Sequence, residues 1–139
     1  MPKSVRIYTD GGARGNPGPA GSGAVIKSLD SGVEQTVSTV SKFFPRATNN
    51  QAEYDAIIIG LQEALRFGAE EVELVMDSEL AVKQIRGEYR VKNPELAKKF
   101  LEVYNLSQKF KKFSARHVFR EHNKEADALV NQAIDENLK

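Results

Sequence analysis

The 139-residue chain has no cysteine and no tryptophan. Without cysteine it can form neither a disulfide nor a thiolate zinc centre. Burial alone must hold it together, and a chain of this length can bury roughly two thirds of its unfolded surface. No apolar run approaches the ~20 residues needed to cross a bilayer, so no membrane partner is expected. The amino-terminal "MPKSVRIYTD" lacks the long apolar core of a secretory signal. With the missing cysteine, this points to the reducing cytoplasm. There is no internal repeat, low-complexity tract or linker. Residues 1–139 therefore read as one domain, expected to act as a monomer.

Net charge is also nearly absent, at +1, but the balance is uneven. Residues 79–116 hold ten Lys and Arg against four Glu, a net of +6, which leaves −5 for the rest. A basic middle beside an acidic remainder suits a polyanion meeting a group of carboxylates. A solvated helix face with surplus lysines explains the same numbers.

What is present alternates strands and helices. "SVRIYTD" has period two and predicts a strand at about 4–9. "AGSGAVIKSL" and "VEQTVSTVSKFF" predict two more, joined at "DSG". Pro45 and the polar "ATNN" should then end the run of strands. "NNQAEYDAIIIGLQEALRFG" carries Tyr54, Ile57, Ile58, Leu61 and Leu65 at helical spacing, with Thr48 or Asn49 as cap and Gly68 as stop. "EVELVM" predicts a strand ending at Asp77, followed by a short helix, "SELAVKQIRG". A longer one, "NPELAKKFLEVYNLSQKF", opens on Pro94. "FSARHVF" predicts a fifth strand, and "NKEADALVNQAIDENL" a closing helix capped by Asn123. The order βββαβααβα implies an α/β protein with a mixed sheet, three antiparallel strands first and parallel ones after the crossover. Sites in such sheets lie beyond the carboxyl ends of the parallel strands.

"YTDGGARGNPGPAG" stands at one such end. It is no nucleotide-binding P-loop, because it lacks the closing G-K-S or G-K-T and a strand follows it. It is expected to be a turn whose glycines bring backbone close to another element, with Asp10 at its mouth. Glu53, in the first turn of the long helix, Asp77, at the end of the fourth strand, and Asp127, in the first turn of the last helix, could converge with Asp10 on one rim. Four clustered carboxylates repel, and Mg²⁺ resolves that repulsion through oxygen ligands. Two such ions ~4 Å apart can clamp the attacking and leaving oxygens of a phosphodiester. Taken singly, each acid has a plainer explanation: Asp10 in an Asx turn, the others as helix-terminal charges.

Four segments in order, "YTDGGARGNPGPAGSGAVI", "TNNQAEYDAIIIGLQEAL", "VMDSELAV" and "REHNKEADALVNQA", resemble the signature segments of type 1 ribonuclease H. The resemblance covers nearly the whole chain. It implies a ribonuclease H-like fold with a five-stranded mixed sheet. It also implies an endoribonuclease that cleaves the RNA strand of RNA–DNA hybrids with two Mg²⁺ ions, Mn²⁺ substituting. Duplex RNA is a second candidate substrate, and the products would carry 5′-phosphate and 3′-hydroxyl ends. By the same resemblance Asp10, Glu53, Asp77 and Asp127 hold metal, and Asn16, Asn49 and Gln51 contact the RNA strand near its 2′-hydroxyls. Arg46, Thr48 and Asn93 match a pocket for a DNA phosphate. The chemistry agrees, since Asn and Gln both donate and accept, as a 2′-hydroxyl does, and Arg46 offers a forked donor to phosphate. A helix cap at Asn49 and a surface charge at Arg46 are the plainer alternatives.

Two departures stand out. Many relatives carry a basic handle after the short helix, but "IRGEYRVKNPEL" leaves no room for one. Hybrid affinity would then rest on Lys83, Arg86, Arg90, Lys92, Lys98 and Lys99, or be weaker. The loop before the last helix is also short. Its His122 stands where the family places a mobile histidine, so it is either a proton shuttle or an exposed loop residue, and His117 is expected to be structural. Two histidines five apart with no cysteine make a poor zinc site. A nuclease or resolvase of the same fold acting on DNA, and a non-catalytic hybrid-binding module, are the rival readings.

Overall fold

The computed structural model describes residues 2–138. Five strands and four helices follow in chain order: β1 (Ser4–Ala13), β2 (Gly18–Ser28), β3 (Gln35–Ala47), α1 (Asn49–Arg66), β4 (Glu71–Met76), α2 (Glu79–Ile85), α3 (Pro94–Ser107), β5 (Lys112–His117) and α4 (Lys124–Asn137). A short 3₁₀ turn, Arg120–His122, precedes α4. The sheet order is β3-β2-β1-β4-β5. β1, β2 and β3 are antiparallel, while β4 runs parallel to both β1 and β5. The mixed five-stranded sheet and the βββαβααβα order are those expected.

Three of the boundaries that differ from expectation do so for a plain local reason. β1 runs on to Ala13, because Gly11, Gly12 and Ala13 pair with Ser22, Gly21 and Ala20 of β2. The turn itself is therefore only Arg14–Pro17, and it contains a cis bond before Pro17. β3 passes through Pro45 to Ala47. As an outer strand it can lose one amide without breaking the sheet. β5 ends at His117, and Val118 adds a last bond to the Met76 carbonyl (2.9 Å).

On β1, Val5, Ile7 and Thr9 are buried and alternate with half-exposed neighbours, the period-two pattern of a strand with one face inward. They meet α1, whose Tyr54, Ile57 and Leu61 are almost wholly buried. Each such side chain contributes roughly 1.5–3 kcal/mol by leaving water. α4 covers the opposite face. Side chains at Gly21 and Gly23 would collide with Val130, Leu129 and Ala126 of α4, so these glycines let the helix lie directly on β2. Thr48, not Asn49, caps α1 through a reciprocal pair. Its Oγ1 accepts from the Gln51 amide (3.1 Å), and the Gln51 side-chain oxygen accepts from the Thr48 amide (2.9 Å). Among the described residues no helix is long and apolar enough to cross a membrane.

Candidate active site

β1 and β4 stop pairing at Thr9 and Met76. Beyond that point the strands part, and the next residues, Asp10 and Asp77, stand at the carboxyl edge of the sheet. Ser78 then opens α2, its Oγ accepting from the Ala81 amide (3.2 Å). Ser78 also lines a small hollow with Asp10, Glu53 and Asp77. Because α1 begins at Asn49, Glu53 lies one turn inside the helix rather than in its first turn. Asp127 occupies the first turn of α4, where Asn131 Nδ2 donates to its carbonyl oxygen (3.2 Å) and reaches its Oδ2 at 3.5 Å.

Gly11 is what brings these elements together. A methyl group there would overlap the Ala52 carbonyl and the Glu53 amide nitrogen. The stretch after Asp10 thus brings backbone against the α1 backbone, at the residue that carries the second carboxylate.

Asp10, Glu53, Asp77 and Asp127 line one open cleft of about 300 Å³, together with Asn49 and Arg120. Among the described residues none of the four is in an ion pair. Burial, the Asp77 charge and a hydrogen bond shared with Asp127 push the Asp10 carboxyl up to about 8. Burial and Asp77 also raise Glu53, against the lowering effect of Ser78. Arg14 and Arg120 also line the cleft, but among the described residues neither pairs with these acids, and a group of unpaired carboxylates suits a divalent ion, which prefers hard oxygen donors. The cage is not drawn tight: among the described residues no group of three acids or histidines stands ready to hold an ion. Closing it needs side-chain movement, and exposed Asp127 has room for that.

A family model described as "Reverse transcriptase-like" matches residues 8–133. A ribonuclease H of Pseudomonas fluorescens is 35% identical over 150 residues, covering 98% of this chain and 95% of its own. The chain belongs to the ribonuclease H family. A ribonuclease HI of Halobacterium salinarum is 44% identical over 132 residues, but the chain spans only 65% of that relative's length. It spans only 35% of the bifunctional protein Rv2228c of Mycobacterium tuberculosis, at 45% identity. The crystal structure of the Halobacterium RNase H1 superposes with a TM-score of 0.90 at 43% identity, covering 96% of this chain and 98% of that one. LC11-RNase H1, solved in complex with an RNA/DNA hybrid, gives 0.90 and 43%, covering 98% and 100%. The fold is that of the ribonuclease H family. The chain is of its handle-less variety, because residues 86–93 join α2 to α3 with no helix between.

The residues matched to substrate contacts fall into two groups. Asn49 is in the carboxylate cleft, its Oδ1 accepting from the Ala13 amide (2.7 Å), while the Asn16 Oδ1 accepts from the Asn49 amide (3.1 Å). Asn16, Thr48, Gln51 and Asn93 line a neighbouring groove of about 370 Å³. Asn93 also caps α3, accepting from the Glu95 and Leu96 amides at 2.9 and 3.2 Å. Arg46 is exposed on β3 and does not line this groove.

The structure does not bring His122 into the cleft. Its side chain lines a separate hollow of about 220 Å³ with Tyr8, Lys27 and Glu34, and the cleft residue from this turn is Arg120. His117 is half-buried at the end of β5, edge-on to Phe119 at 5.6 Å. Of the six basic residues, Lys83 pairs with Glu79 (3.1 Å), Arg86 with Glu88 (3.1 Å), and Lys99 with Asp55 at 3.0 and 3.1 Å. Arg90, Lys92 and Lys98 have no ion pair among the described residues. Arg120, Asn131 and Ser78 escaped the sequence reading. Only Ser78 left a signal there, as a serine opening a predicted helix.

Proposed function

We propose that this protein is an endoribonuclease that hydrolyses the RNA strand of RNA–DNA hybrids. One observation carries the reading: Asp10 of β1, Glu53 of α1, Asp77 in the turn after β4 and Asp127 of α4 line a single open cleft, and among the described residues no cation pairs with them. Asp10, Glu53, Asp77 and Asp127 would hold two divalent ions, Mg²⁺ by preference with Mn²⁺ as a substitute. Such ions would activate a water and stabilise the leaving 3′-oxygen, giving 5′-phosphate and 3′-hydroxyl ends. The chain's own residues bind and orient. Asn49 stands beside the acids, and Asn16 and Gln51 continue along the neighbouring groove, where amides can sense 2′-hydroxyls. Thr48 and Asn93 in the groove, with Arg46 exposed outside it on β3, would take a phosphate of the DNA strand. Arg90, Lys92 and Lys98 would supply the remaining attraction to phosphate. The enzyme would act as a cytoplasmic monomer.

The test is cleavage of end-labelled hybrid, duplex RNA and duplex DNA, each with Mg²⁺ or with chelator. Metal-dependent cutting of the hybrid's RNA strand is expected, and cutting of duplex RNA would extend the substrate range. Cleavage of duplex DNA, or hybrid cleavage in chelator, would refute the proposal.

A further inference from the structure

Asn123 is 1% exposed, and its side chain does not do what its position suggests. It stands at the start of α4 but makes no capping hydrogen bond to that helix, contrary to the expectation from sequence. Its Nδ2 instead donates to the carbonyl of Thr9 (2.9 Å), 114 residues away. Thr9 is itself 2% exposed and is the last residue of β1 to pair with β4. The residue after it is Asp10. On the other side, the Asn123 carbonyl accepts from the Asp127 amide (3.2 Å).

The Asn123 side chain therefore ties the strand end that presents Asp10 to the start of α4, whose first backbone hydrogen bond runs from the Asp127 amide to the Asn123 carbonyl. The link works against stability in two ways. α4 goes without a side-chain cap, a loss that measurably weakens helices. The Asn123 Oδ1 is buried with no hydrogen-bond partner among the described residues, which is also unfavourable. Turning the amide over would not help, because its oxygen would then face the oxygen of Thr9. A serine or aspartate at this position would cap the helix and leave no amide oxygen stranded. Among these capping residues only asparagine supplies an amide donor, the group that here reaches Thr9.

We propose that Asn123 is a positioning residue that fixes the spacing between Asp10 and Asp127 and so preforms half of the metal site. This rests on the proposed function. Hydrogen bonds that orient metal ligands are typically worth about 10–100-fold in affinity or activity. The effect should therefore appear in metal binding without any substrate present.

The test uses Asn123→Ala and Asn123→Ser. Serine is a good helix cap but falls short of Thr9, so it separates helix stability from the cross-link. Mn²⁺ binding to the free protein is followed by electron paramagnetic resonance, and hybrid cleavage is measured well below each variant's melting temperature. Both variants should bind Mn²⁺ about tenfold or more weakly. kcat should fall by a similar factor, with KM for hybrid unchanged. Variants that melt earlier but keep wild-type Mn²⁺ affinity and kcat would overturn the proposal, as would failure of both to fold, since Asn123 would then be purely structural. A wild-type protein that binds no Mn²⁺ would instead strike at the proposed function itself, and this inference would fall with it.

Discussion

Gly11→Ala is the most direct probe of how the site is built. The added methyl would sit inside the van der Waals envelope of the Ala52 carbonyl carbon and oxygen and the Glu53 nitrogen. All three are backbone atoms of a helix, so no side chain can rotate away. To reach ordinary carbon contact near ~3.5 Å, β1 and α1 must separate by roughly 1 Å. Overpacking of this kind costs about 1–3 kcal/mol. For a domain of this size that lowers the melting temperature by roughly 5–10 °C. The displacement falls between the residues that carry Asp10 and Glu53, and a ~1 Å misplacement can cost about 10²-fold in rate. Gly12→Ala is the matched control. Its added carbon would meet nothing nearer than 3.9 Å, and replacing glycine within a strand is mildly favourable, by roughly 0.5 kcal/mol. Melting curves and Mg²⁺-dependent hybrid cleavage decide the matter. If Gly11→Ala kept wild-type melting and kcat, the close approach would have no part in setting the site.

Four further substitutions test other parts of the structure. Asp77→Asn, nearly isosteric, should leave the melting curve close to wild type and remove hybrid cleavage, and near-normal Mg²⁺-dependent activity would refute the metal assignment. Lys98→Ala should weaken hybrid binding and lower its salt slope by about one. Lys99→Ala should mainly destabilise by leaving Asp55 unpaired, and binding curves with thermal melts separate the two effects. His122→Ala should slow turnover only modestly, because its side chain lies outside the cleft, and a loss as large as that of Asp77→Asn would contradict this placement. Glu63 is held down to about 2 by Arg66 and Ser38. The unfolded chain regains that proton first, so this stabilising contribution is present above about pH 4.5 and fades as pH falls toward 2. Glu63→Gln should flatten that stretch of the stability profile, and an unchanged acid limb would show that Glu63 plays no part.

Most of the fold was legible because period and punctuation agreed. The Val5, Ile7, Thr9 alternation and the Tyr54, Ile57, Leu61 stripe are local patterns with one physical solution each. The errors came where tertiary position overrides local chemistry. Pro45 reads as a strand end until β3 is known to be an outer strand with a free edge. Gly11 and Gly12 read as a turn until their pairing with β2 is seen, because glycine is equally at home in both. Lys99 reads as a free phosphate ligand until α3 is placed against α1 and Asp55.

The candidate site divides along the same line. Asp10, Glu53, Asp77 and Asp127 could be proposed together because the family resemblance matches all four and divalent-ion chemistry favours carboxylates, and the four line one cleft. The groups that hold them need only a hydrogen bond or a gap, and almost any element can provide one. Asn123 shows the difference. From sequence it is a good helix cap, a role asparagine fills in helices of every function. Only the structure shows that its amide turns away from α4 to the Thr9 carbonyl. Gly11 is similar: its value lies wholly in the side chain it does not have. Reactive groups are therefore visible as residue types, whereas the groups that position them are visible only as distances. For that reason variants at Gly11 and Asn123 test the reading of this site more sharply than another carboxylate exchange would.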